Sequence, residues 1–321
     1  MTLPLPEGPA WNSGAHSIVV IDTETSGLHQ EQGARVVEVA AVRFEKRGDA
    51  WEIVSHNAEI VLPESGFVMP AEATAINGIT QAMVNEGRTF SDVWSETVSL
   101  CDGNVVIAAY NADFDRGHLR AEVKRLGISK DDIPEAIKAP WLDPLVWVRA
   151  RDRFVKGPKR HTLGVTCARW GIPLTEAHRA VGDATATGKL LLSPKMAETI
   201  ATGCFHPNPT LNHVLYCQLH LGDHQEQERR EYVAKLAKST PLPAPATHET
   251  TCSSCGAPIV WGITEAGKRM PLDKTPHEKG NVVMVDGACL VLSGEALALA
   301  RKDELLISHF ATCPNAQKHR R

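Results

Sequence analysis

The sequence predicts an α/β fold in which a mixed sheet is flanked by helices, followed by a small second unit. Three strand-like segments lie close together near the start, at 17–21, 36–44 and 51–62. Helical and strand-like segments then alternate, which is the order expected of a sheet covered by helices. The chain has 321 residues and is 43% hydrophobic, so it is long enough for one large and one small domain.

The elements of the first unit follow in order. A helix at 90–100 leads into 105–109, a short apolar run typical of a strand buried on both faces. A helix at 114–126 follows and ends at Gly127. Further helices are predicted at 162–170 and 184–192. Together these segments form a unit covering residues 1–195.

The rest of the chain divides into three parts. Residues 196–238 predict a helical extension, because a breaker-rich start is followed by a long polar helical segment. Residues 239–251 are rich in proline and small polar side chains, which is typical of an extended linker. Residues 252–321 form the small unit, with strands expected around 259–263 and 282–285.

Composition and charge exclude several classes of protein. Charged residues make up 22% of the chain and the formal net charge is −4, so the whole chain is neither a basic nucleic-acid coat nor a disordered acidic tail. It has no run of about 18 apolar residues and no export signal at the start, so we expect a soluble cytoplasmic protein without a membrane partner. In a reducing compartment, Cys-x-x-Cys indicates metal or redox chemistry.

Acidic side chains follow two of the predicted buried strands. In "IDTETSG", Asp22 and Glu24 are two positions apart, so in a strand both would lie on one face, about 7 Å apart, and face shared cations. A solvent-facing strand end explains this pattern equally well. After the second strand come Asn111, Asp113 and Asp115. We assign Asn111 or Asp113 to capping of the next helix and Asp115 to chemistry.

A third acidic segment carries His178 and Asp183 in "HRAVGD". Residues five positions apart on a helix are about 140° apart, so the two side chains share a site if His178 precedes the helix and Asp183 lies near its start. Gly182 would permit the necessary bend. A single histidine is more often an ordinary surface residue than a catalyst, so His178 alone does not establish a site.

The three segments together resemble the exonuclease motifs of the DEDDh, or DnaQ-like, family, which are D-x-E, N-A-x-F-D and H-x-A-x-x-D. The sequence has "DTE", "NADFD" and "HRAVGD" in that order, and the resemblance covers about residues 15–193. It implies a ribonuclease H-like fold with a mixed five-stranded sheet and a site at its strand ends. It also implies five catalytic residues, of which four would bind metal and His178 would be the general base: Asp22, Glu24, Asp115, His178 and Asp183.

Such a site would perform metal-dependent hydrolysis. All-oxygen ligation suits two Mg²⁺ or Mn²⁺ ions, which would clamp a phosphodiester. We expect 3′–5′ exonuclease activity that releases nucleoside 5′-monophosphates from single-stranded or frayed ends, with DNA favoured over RNA. An exoribonuclease that trims RNA 3′ ends and a catalytically inactive nucleic-acid-binding adaptor are the alternatives. The sequence does not specify a replication or repair partner.

Two positions depart from the family pattern. Tyr110 and Asn77 stand where the family often has histidine. The resemblance places Thr25, Ile76 and Asn77 near the 3′-terminal nucleotide, so the second departure affects substrate preference rather than catalysis.

The second unit contains a predicted zinc site. A Cys-x-x-Cys pair near its start and a His-x-x-x-Cys pair near its end predict a structural Cys₃His site in a zinc-ribbon-like module: Cys252, Cys255, His309 and Cys313. Free thiols, a redox pair, or a site that uses Cys289 or His277 remain open as alternatives. Cysteine and histidine residues before the linker are interpreted as core and surface residues rather than as a second site: Cys204, His206, Cys217 and His220.

Overall fold

The computed structural model describes residues 17–30, 33–156, 159–174, 179–206, 209–239, 249–264, 268–285, 288–292, 297, 300 and 302–319. The chain divides into two compact units, Met1–Phe154 with His161–Gly222, and Val155–Arg160 with Asp223–Arg321. The four-part division made from the sequence stays a prediction, and most of its linker, 240–248, lies outside the described residues. Over the described ranges, no helix has the length and hydropathy needed to cross a bilayer.

The first unit is built on the predicted mixed five-stranded sheet, which is confirmed. Its strand order is β4-β3-β2-β1-β5. Strands β1 and β2 and strands β2 and β3 pair antiparallel, whereas β5 pairs parallel to β1 and β4 parallel to β3. The strands are β1 Ser17–Thr25, β2 Val36–Arg47, β3 Ala50–Leu62, β4 Arg88–Thr89 and β5 Val105–Ala108.

Three helices lie between β3 and β5, and the others follow β5, the last of them continuing past Gly222, where this unit ends. The helices are α1 Ala71–Asn77, α2 Gln81–Asn85, α3 Phe90–Leu100, α4 Ala112–Arg125, α5 Glu135–Lys138, α6 Pro144–Arg151, α7 Leu163–Trp170, α8 Ala180–Leu191, α9 Pro194–Gly203 and α10 Leu211–Ser239. The sequence interpretation missed α1, α2, α5, α6 and α9. The first three of these are too short for a helical period to be visible. Helices α6 and α9 begin with a signal that could have been read, because the Asp143 and Ser193 side chains cap them and each has proline as its first residue.

Both faces of the sheet are covered, so the unit has three layers. Along β1, Ile18 and Val20 belong to a core that includes Leu190 of α8. Alternate residues Val19 and Ile21 belong to a second core with helices α3 and α4. Because alternate residues of β1 are buried in two different cores, the prediction of an interior strand at 17–21 is confirmed. Residues 22–25 form the polar C-terminal end of this strand and carry Asp22 and Glu24.

Helix α4 begins two residues earlier than predicted because a distant carboxylate caps it. The Asp143 carboxylate accepts hydrogen bonds from Asn111 N at 3.0 Å and from Ala112 N at 3.1 Å. Asn111 occupies the N-cap position with φ 72°, but its side chain makes no capping hydrogen bond, and Asp113 is exposed. The assignment of the cap to one of these two side chains is therefore wrong.

Helix α8 begins four residues earlier than predicted, for the same reason. The Glu38 carboxylate of β2 accepts a hydrogen bond from Ala180 N at 3.1 Å and so satisfies the first amide of the helix. Gly182 lies inside the first turn of the helix rather than before its start. Gly188 instead lets α8 approach the sheet, since a Cβ there would lie 2.2 Å from the Phe44 ring.

The second unit contains its own five-stranded sheet. Strand order is β6-β7-β10-β9, and β8 pairs with β7. The strands are β6 Glu249–Thr251, β7 Pro258–Thr264, β8 Arg269–Asp273, β9 Val282–Val285 and β10 Ala288–Val291. Strands β7 and β9 confirm the two predicted for this unit. A short helix, His309–Thr312, follows the sheet.

Candidate active site

Three of the predicted carboxylates meet at the end of β1. Asp22 and Glu24 alternate along the strand, and Asp183 lies in the first turn of α8. One carboxylate oxygen from each lies within 4.8 Å of the other two. Residues far apart in the sequence thus form one acidic cluster, because α8 packs against β1 and β2.

The fourth carboxylate, Asp115, is held by the residue between the first two. It lies in the first turn of α4 and is 3% exposed. Both the amide and the hydroxyl of Thr23 donate hydrogen bonds to Asp115 Oδ1, each at 2.8 Å. Asp115 lies outside the 4.8 Å group, but its charge still acts on Asp22.

Burial and mutual repulsion make these acids hard to ionise. Burial, followed by the charges of the neighbouring carboxylates, raises the pKa of Asp22 well above its usual range. Burial also raises the pKa of Glu24 to about 8, with Asp183 the largest of the charge effects. The pKa of Asp115 rises to about 7 through burial, although hydrogen bonds from Thr23 oppose the rise. Cations bound to the cluster would relieve this repulsion.

A fifth acid, Glu38, was missed in the sequence. It is fully buried in β2, directly across from Glu24 in the strand register. Arg179 donates to its carboxylate from Nη2 at 2.7 Å and from Nε at 3.1 Å. Glu38 therefore fixes both the residue before α8 and the start of α8, and hence the position of Asp183. The signal was available, because a single acid inside the apolar run "VVEVAAV" must have a buried partner.

The predicted general base, His178, lies outside the described residues. Since α8 begins at Ala180 and Asp183 lies in its first turn, the helix start meets the condition derived from the spacing of the two residues. The role of His178 stays a prediction.

The cap on α4 is itself supported from α10. Gln218 of α10 accepts a hydrogen bond from Asp143 N at 2.8 Å and donates one to the Trp141 carbonyl at 2.9 Å. Asp143 also caps its own helix, α6, through Leu145 N at 2.9 Å. Burial raises the pKa of Asp143 to about 6. These contacts fix the helix that carries Asp115.

The residues predicted to contact the terminal nucleotide lie beside β1. Asn77 is buried, accepts a hydrogen bond from Ile79 N at 3.0 Å, and its Nδ2 lies 3.4 Å from the Thr25 carbonyl. The Thr25 hydroxyl donates to the Gly27 carbonyl, and Ile76 is 46% exposed. Their contact with a nucleotide stays a prediction.

Tyr110, the other departure from the family pattern, has a structural role. Its hydroxyl donates to the His161 carbonyl at 2.6 Å and lies 3.0 Å from the Thr166 hydroxyl. The phenol therefore ties the end of β5 to the start of α7, and it is not part of the acidic cluster.

The acidic cluster predicts how stability depends on pH. Because folding raises the pKa of Glu24 to about 8 and that of Asp115 to about 7, the folded protein binds these protons more tightly than the unfolded chain. Their contribution to stability is fully present below about pH 4 and is lost as pH rises through about 7 to 8. In EDTA, Tm should therefore fall as the pH rises from about 4 to about 8. Excess Mg²⁺ should raise Tm more near pH 8 than near pH 4.

Thermal unfolding of the wild type and of Glu24→Gln, with EDTA or Mg²⁺, checks this prediction. The variant should show a smaller loss of Tm with pH in EDTA. Equal pH dependence of the two proteins would contradict it.

The predicted zinc ligands form a second cluster, in the second unit. Ligand atoms of all four residues lie within 4.8 Å of one another: Cys252, Cys255, His309 and Cys313. The sulfurs of Cys252 and Cys313 are 4.0 Å apart, close to the separation of about 3.8 Å for two thiolates bound tetrahedrally at about 2.3 Å from zinc.

The surroundings of this cluster suit a metal. His309 Nε2 lies 3.3 Å from Cys255 Sγ, while Nδ1 lies 2.6 Å from the Asp273 carboxylate. A carboxylate behind a histidine is a common way to orient a metal ligand, and the sequence interpretation missed Asp273. Hydrogen bonds from Ser254 lower the pKa of the Cys252 thiol to about 5, which favours the thiolate that zinc binds.

The alternative ligands lie elsewhere. Cys289 is buried with its Sγ 3.5 Å from Met284 Sδ, and His277 Nδ1 accepts a hydrogen bond from Lys279 N. Neither belongs to the cluster.

The cysteine and histidine residues before the linker do not form a metal-binding cluster within the described ranges: Cys204, His206, Cys217 and His220. The sulfurs of Cys204 and Cys217 are 2.9 Å apart and buried in the core of the first unit. His206 stacks on His213, and His220 packs against Tyr216. This agrees with their interpretation as core and surface residues.

Zinc content tests the second cluster. We expect the purified protein to contain one zinc per chain, and Cys255→Ser to lose it and to lower the Tm of the second unit, because structural zinc contributes directly to folding. Elemental analysis measures the zinc, and Cys289→Ser is the control that should retain it. A wild type without zinc, or equal zinc content in both variants, would reject the site.

Comparison with known proteins gives the family. Residues 19–191 match the exonuclease family model, RNase_T. The match covers more than half of the chain, so the chain belongs to this exonuclease family, and the resemblance to DEDDh, or DnaQ-like, 3′–5′ exonucleases is confirmed.

Two relatives support the assignment. A DNA polymerase III subunit epsilon-like protein of Rhodobacter capsulatus is 33% identical over 177 residues, which cover 55% of this chain and 23% of that protein. A PolC-type DNA polymerase III of Streptococcus thermophilus is 33% identical over 173 residues, which cover 54% of this chain and 11% of that protein. The matched region thus spans less than a quarter of the length of either relative.

Solved structures are more distant. Exonuclease I is 16% identical with a TM-score of 0.48, covering 94% of this chain and 67% of that chain. The nuclease domain of 3′hExo, a DEDDh family member bound to rAMP, is also 16% identical, with a TM-score of 0.46 and coverage of 58% and 94%.

Proposed function

We propose that this protein is a metal-dependent 3′–5′ exonuclease that releases nucleoside 5′-monophosphates from single-stranded or frayed DNA ends. The observation that carries the proposal is the meeting of Asp22, Glu24 and Asp183 within 4.8 Å, inside an exonuclease-family domain. The preference for DNA is supported by the relatives, which are described as DNA polymerase III proteins.

The donor set fits divalent metal ions. Four carboxylates favour hard cations with oxygen ligands, and the charges of the other three raise the pKa of Asp22, so Asp22, Glu24, Asp115 and Asp183 would hold two Mg²⁺ or Mn²⁺. Such ions supply an activated water and neutralise charge on the phosphate and the leaving 3′ oxygen.

The remaining roles belong to the protein's own side chains. His178, as a neutral imidazole, would accept the proton of the attacking water. Thr25, Ile76 and Asn77 would lie against the terminal nucleotide, where half-exposed Ile76 offers an apolar surface to the base. Glu38 and Asp143 hold the starts of the two helices that carry Asp183 and Asp115.

The test uses 5′-labelled DNA and RNA, single- and double-stranded, incubated with Mg²⁺, Mn²⁺ or EDTA. Stepwise shortening of DNA from the 3′ end that EDTA abolishes would support the proposal. Faster shortening of RNA would favour the exoribonuclease. Binding without cleavage under any metal would favour the inactive adaptor.

The second unit is proposed to be a zinc-stabilised module that helps to bind nucleic acid. It carries weak positive charge, since residues 252–321 have nine Lys plus Arg and seven Asp plus Glu, a difference of +2. A cytoplasmic location and a replication or repair partner are part of the same proposal, and the DNA polymerase relatives favour such a setting. Filter binding of labelled single-stranded DNA by wild type and Cys255→Ser, at matched salt, tests the contribution of the module.

A further inference from the structure

Thr23 occupies the middle of the D-T-E segment and contacts a carboxylate 92 positions away. Its amide and its hydroxyl both donate to Asp115 Oδ1 at 2.8 Å. Thr23 is 7% exposed and Asp115 is 3% exposed, so both hydrogen bonds are shielded from water. We propose that Thr23 is a positioning residue that sets the orientation of the Asp115 carboxylate for metal binding. This inference rests on the proposed function.

The sheet topology explains why the amide of Thr23 is free to make this contact. Pairing of β1 with β5 ends at Val20 and Ala108, whereas β1 continues to Thr25. After Ala108 the chain leaves β5 and enters α4 at Ala112. The first turn of α4 lies beside the part of β1 that continues beyond Val20. Asp115 takes the place that the next residue of β5 would have taken as the acceptor for β1.

The two hydrogen bonds fix which oxygen remains for a cation. A carboxylate has two oxygens, and Thr23 occupies Oδ1 with two donors, so Oδ2 is the oxygen left for a metal. Partners behind a ligand set its orientation, and their loss typically costs about 10- to 100-fold in metal affinity or activity. Thr23 thereby couples the ligand on α4 to the two ligands on either side of it in β1.

Helix α4 is anchored independently of Thr23. Asp143 caps its start, and near its end Glu122 accepts hydrogen bonds from the Arg35 side chain at 2.8 Å and from Val36 N at 3.1 Å. Loss of the Thr23 hydroxyl should therefore leave the backbone of α4 in place and loosen only the side chain of Asp115, which keeps its hydrogen bond from the Thr23 amide. The effect of a substitution at Thr23 can therefore be attributed to the Asp115 side chain rather than to movement of α4.

Two variants isolate the hydroxyl. Thr23→Val keeps the shape and the backbone amide but removes the O–H donor, whereas Thr23→Ser keeps the donor. We expect Thr23→Val to weaken Mn²⁺ binding about 10-fold or more and to lower kcat by a similar factor, with KM for DNA unchanged. Thr23→Ser should stay within about 3-fold of the wild type in both. Mn²⁺ titration calorimetry and single-turnover cleavage measure the two quantities.

A double-mutant cycle shows whether the effect runs through Asp115. In an Asp115→Asn background, Thr23→Val should add little further loss of Mn²⁺ affinity, because the oriented carboxylate is already gone. An equal additional loss would overturn the inference, and so would a Thr23→Val protein that matches the wild type. Tm in EDTA close to that of the wild type excludes general unfolding as the cause.

The outcomes separate this inference from the proposed function. A wild type that binds Mn²⁺ but does not cleave rejects the exonuclease activity, while the Mn²⁺ titrations still decide the role of Thr23. An active wild type with an unaffected Thr23→Val variant rejects only the role of Thr23. A wild type that neither binds Mn²⁺ nor cleaves rejects both.

Discussion

Replacing Asp22 with asparagine is expected to reduce nuclease turnover by about 10³-fold or more and, in EDTA, to raise the Tm. Asp22 lies within the acidic cluster, so the loss of its charge removes a metal ligand on which the proposed chemistry depends. The same carboxylate is desolvated and repelled by its neighbours, which raises its pKa well above the usual range. Without a bound cation, the neutral amide should therefore be better tolerated in the fold.

Asp113→Asn provides a matched control for this prediction. Asp113 lies in the first turn of α4 like Asp115, but it is exposed. Its substitution should leave turnover within about 2-fold and Tm nearly unchanged. Mg²⁺-dependent cleavage of labelled DNA and differential scanning fluorimetry in EDTA give the two measurements. Full activity in Asp22→Asn would remove Asp22 from the site, and a large fall of its Tm in EDTA would contradict the repulsion argument.

Replacing His178 with alanine is expected to lower kcat by about 10²- to 10⁴-fold, the usual contribution of a general base. Mn²⁺ affinity and KM for DNA should change little, because the imidazole is assigned to proton transfer rather than to binding. Since a neutral imidazole is required, wild-type activity at saturating metal should fall as pH drops through about 6.5. Single-turnover cleavage across a pH series measures both effects.

His224→Ala is the control for the histidine substitution. His224 is exposed on α10, with 63% of its side chain accessible, so its loss should not alter cleavage. If His178→Ala cleaves at the normal rate, another group must accept the proton. If it loses Mn²⁺ binding together with turnover, His178 acts in binding instead.

The sequence predicted four of the five strands of the first sheet, and the family resemblance supplied the number five; the two-residue strand β4 was missed. The strand 17–21 and the strand 105–109 were visible because interior strands are continuous apolar runs bounded by polar turns. The acids that follow them were assigned to one site by the resemblance to the DEDDh exonuclease motifs, which implies a site at the strand ends. The short helices could not be predicted, since four to seven residues carry too little periodicity.

The starts of α4 and α8 could not be predicted from local signals. Each is capped by a carboxylate from another element, Asp143 at a separation of 32 residues and Glu38 at 142. Capping preferences concern side chains near the helix end, so they pointed to Asn111 and Asp113. Contacts of this kind depend on tertiary packing, which a single sequence does not reveal.

The Cys₃His cluster of the second unit shows the opposite case. Its four residues were predicted as zinc ligands from two short spacings, although a long segment of sheet separates the pairs. The spacing within each pair is local and is constrained by the metal, whereas the length between the pairs is not. Asp273 was missed because an orienting carboxylate has no fixed position in the sequence relative to the ligand.

The ion pair between Glu38 and Arg179 sets the net charge that bound cations would have to balance at the acidic site. When all are ionised, five carboxylates and the one guanidinium bound to Glu38 leave a charge of −4: Asp22, Glu24, Glu38, Asp115 and Asp183, with Arg179. Two divalent cations would balance this charge, whereas one would leave half of it uncompensated in a buried place. Because Arg179 cancels the fifth acid, charge balance supports the proposal of two bound metal ions.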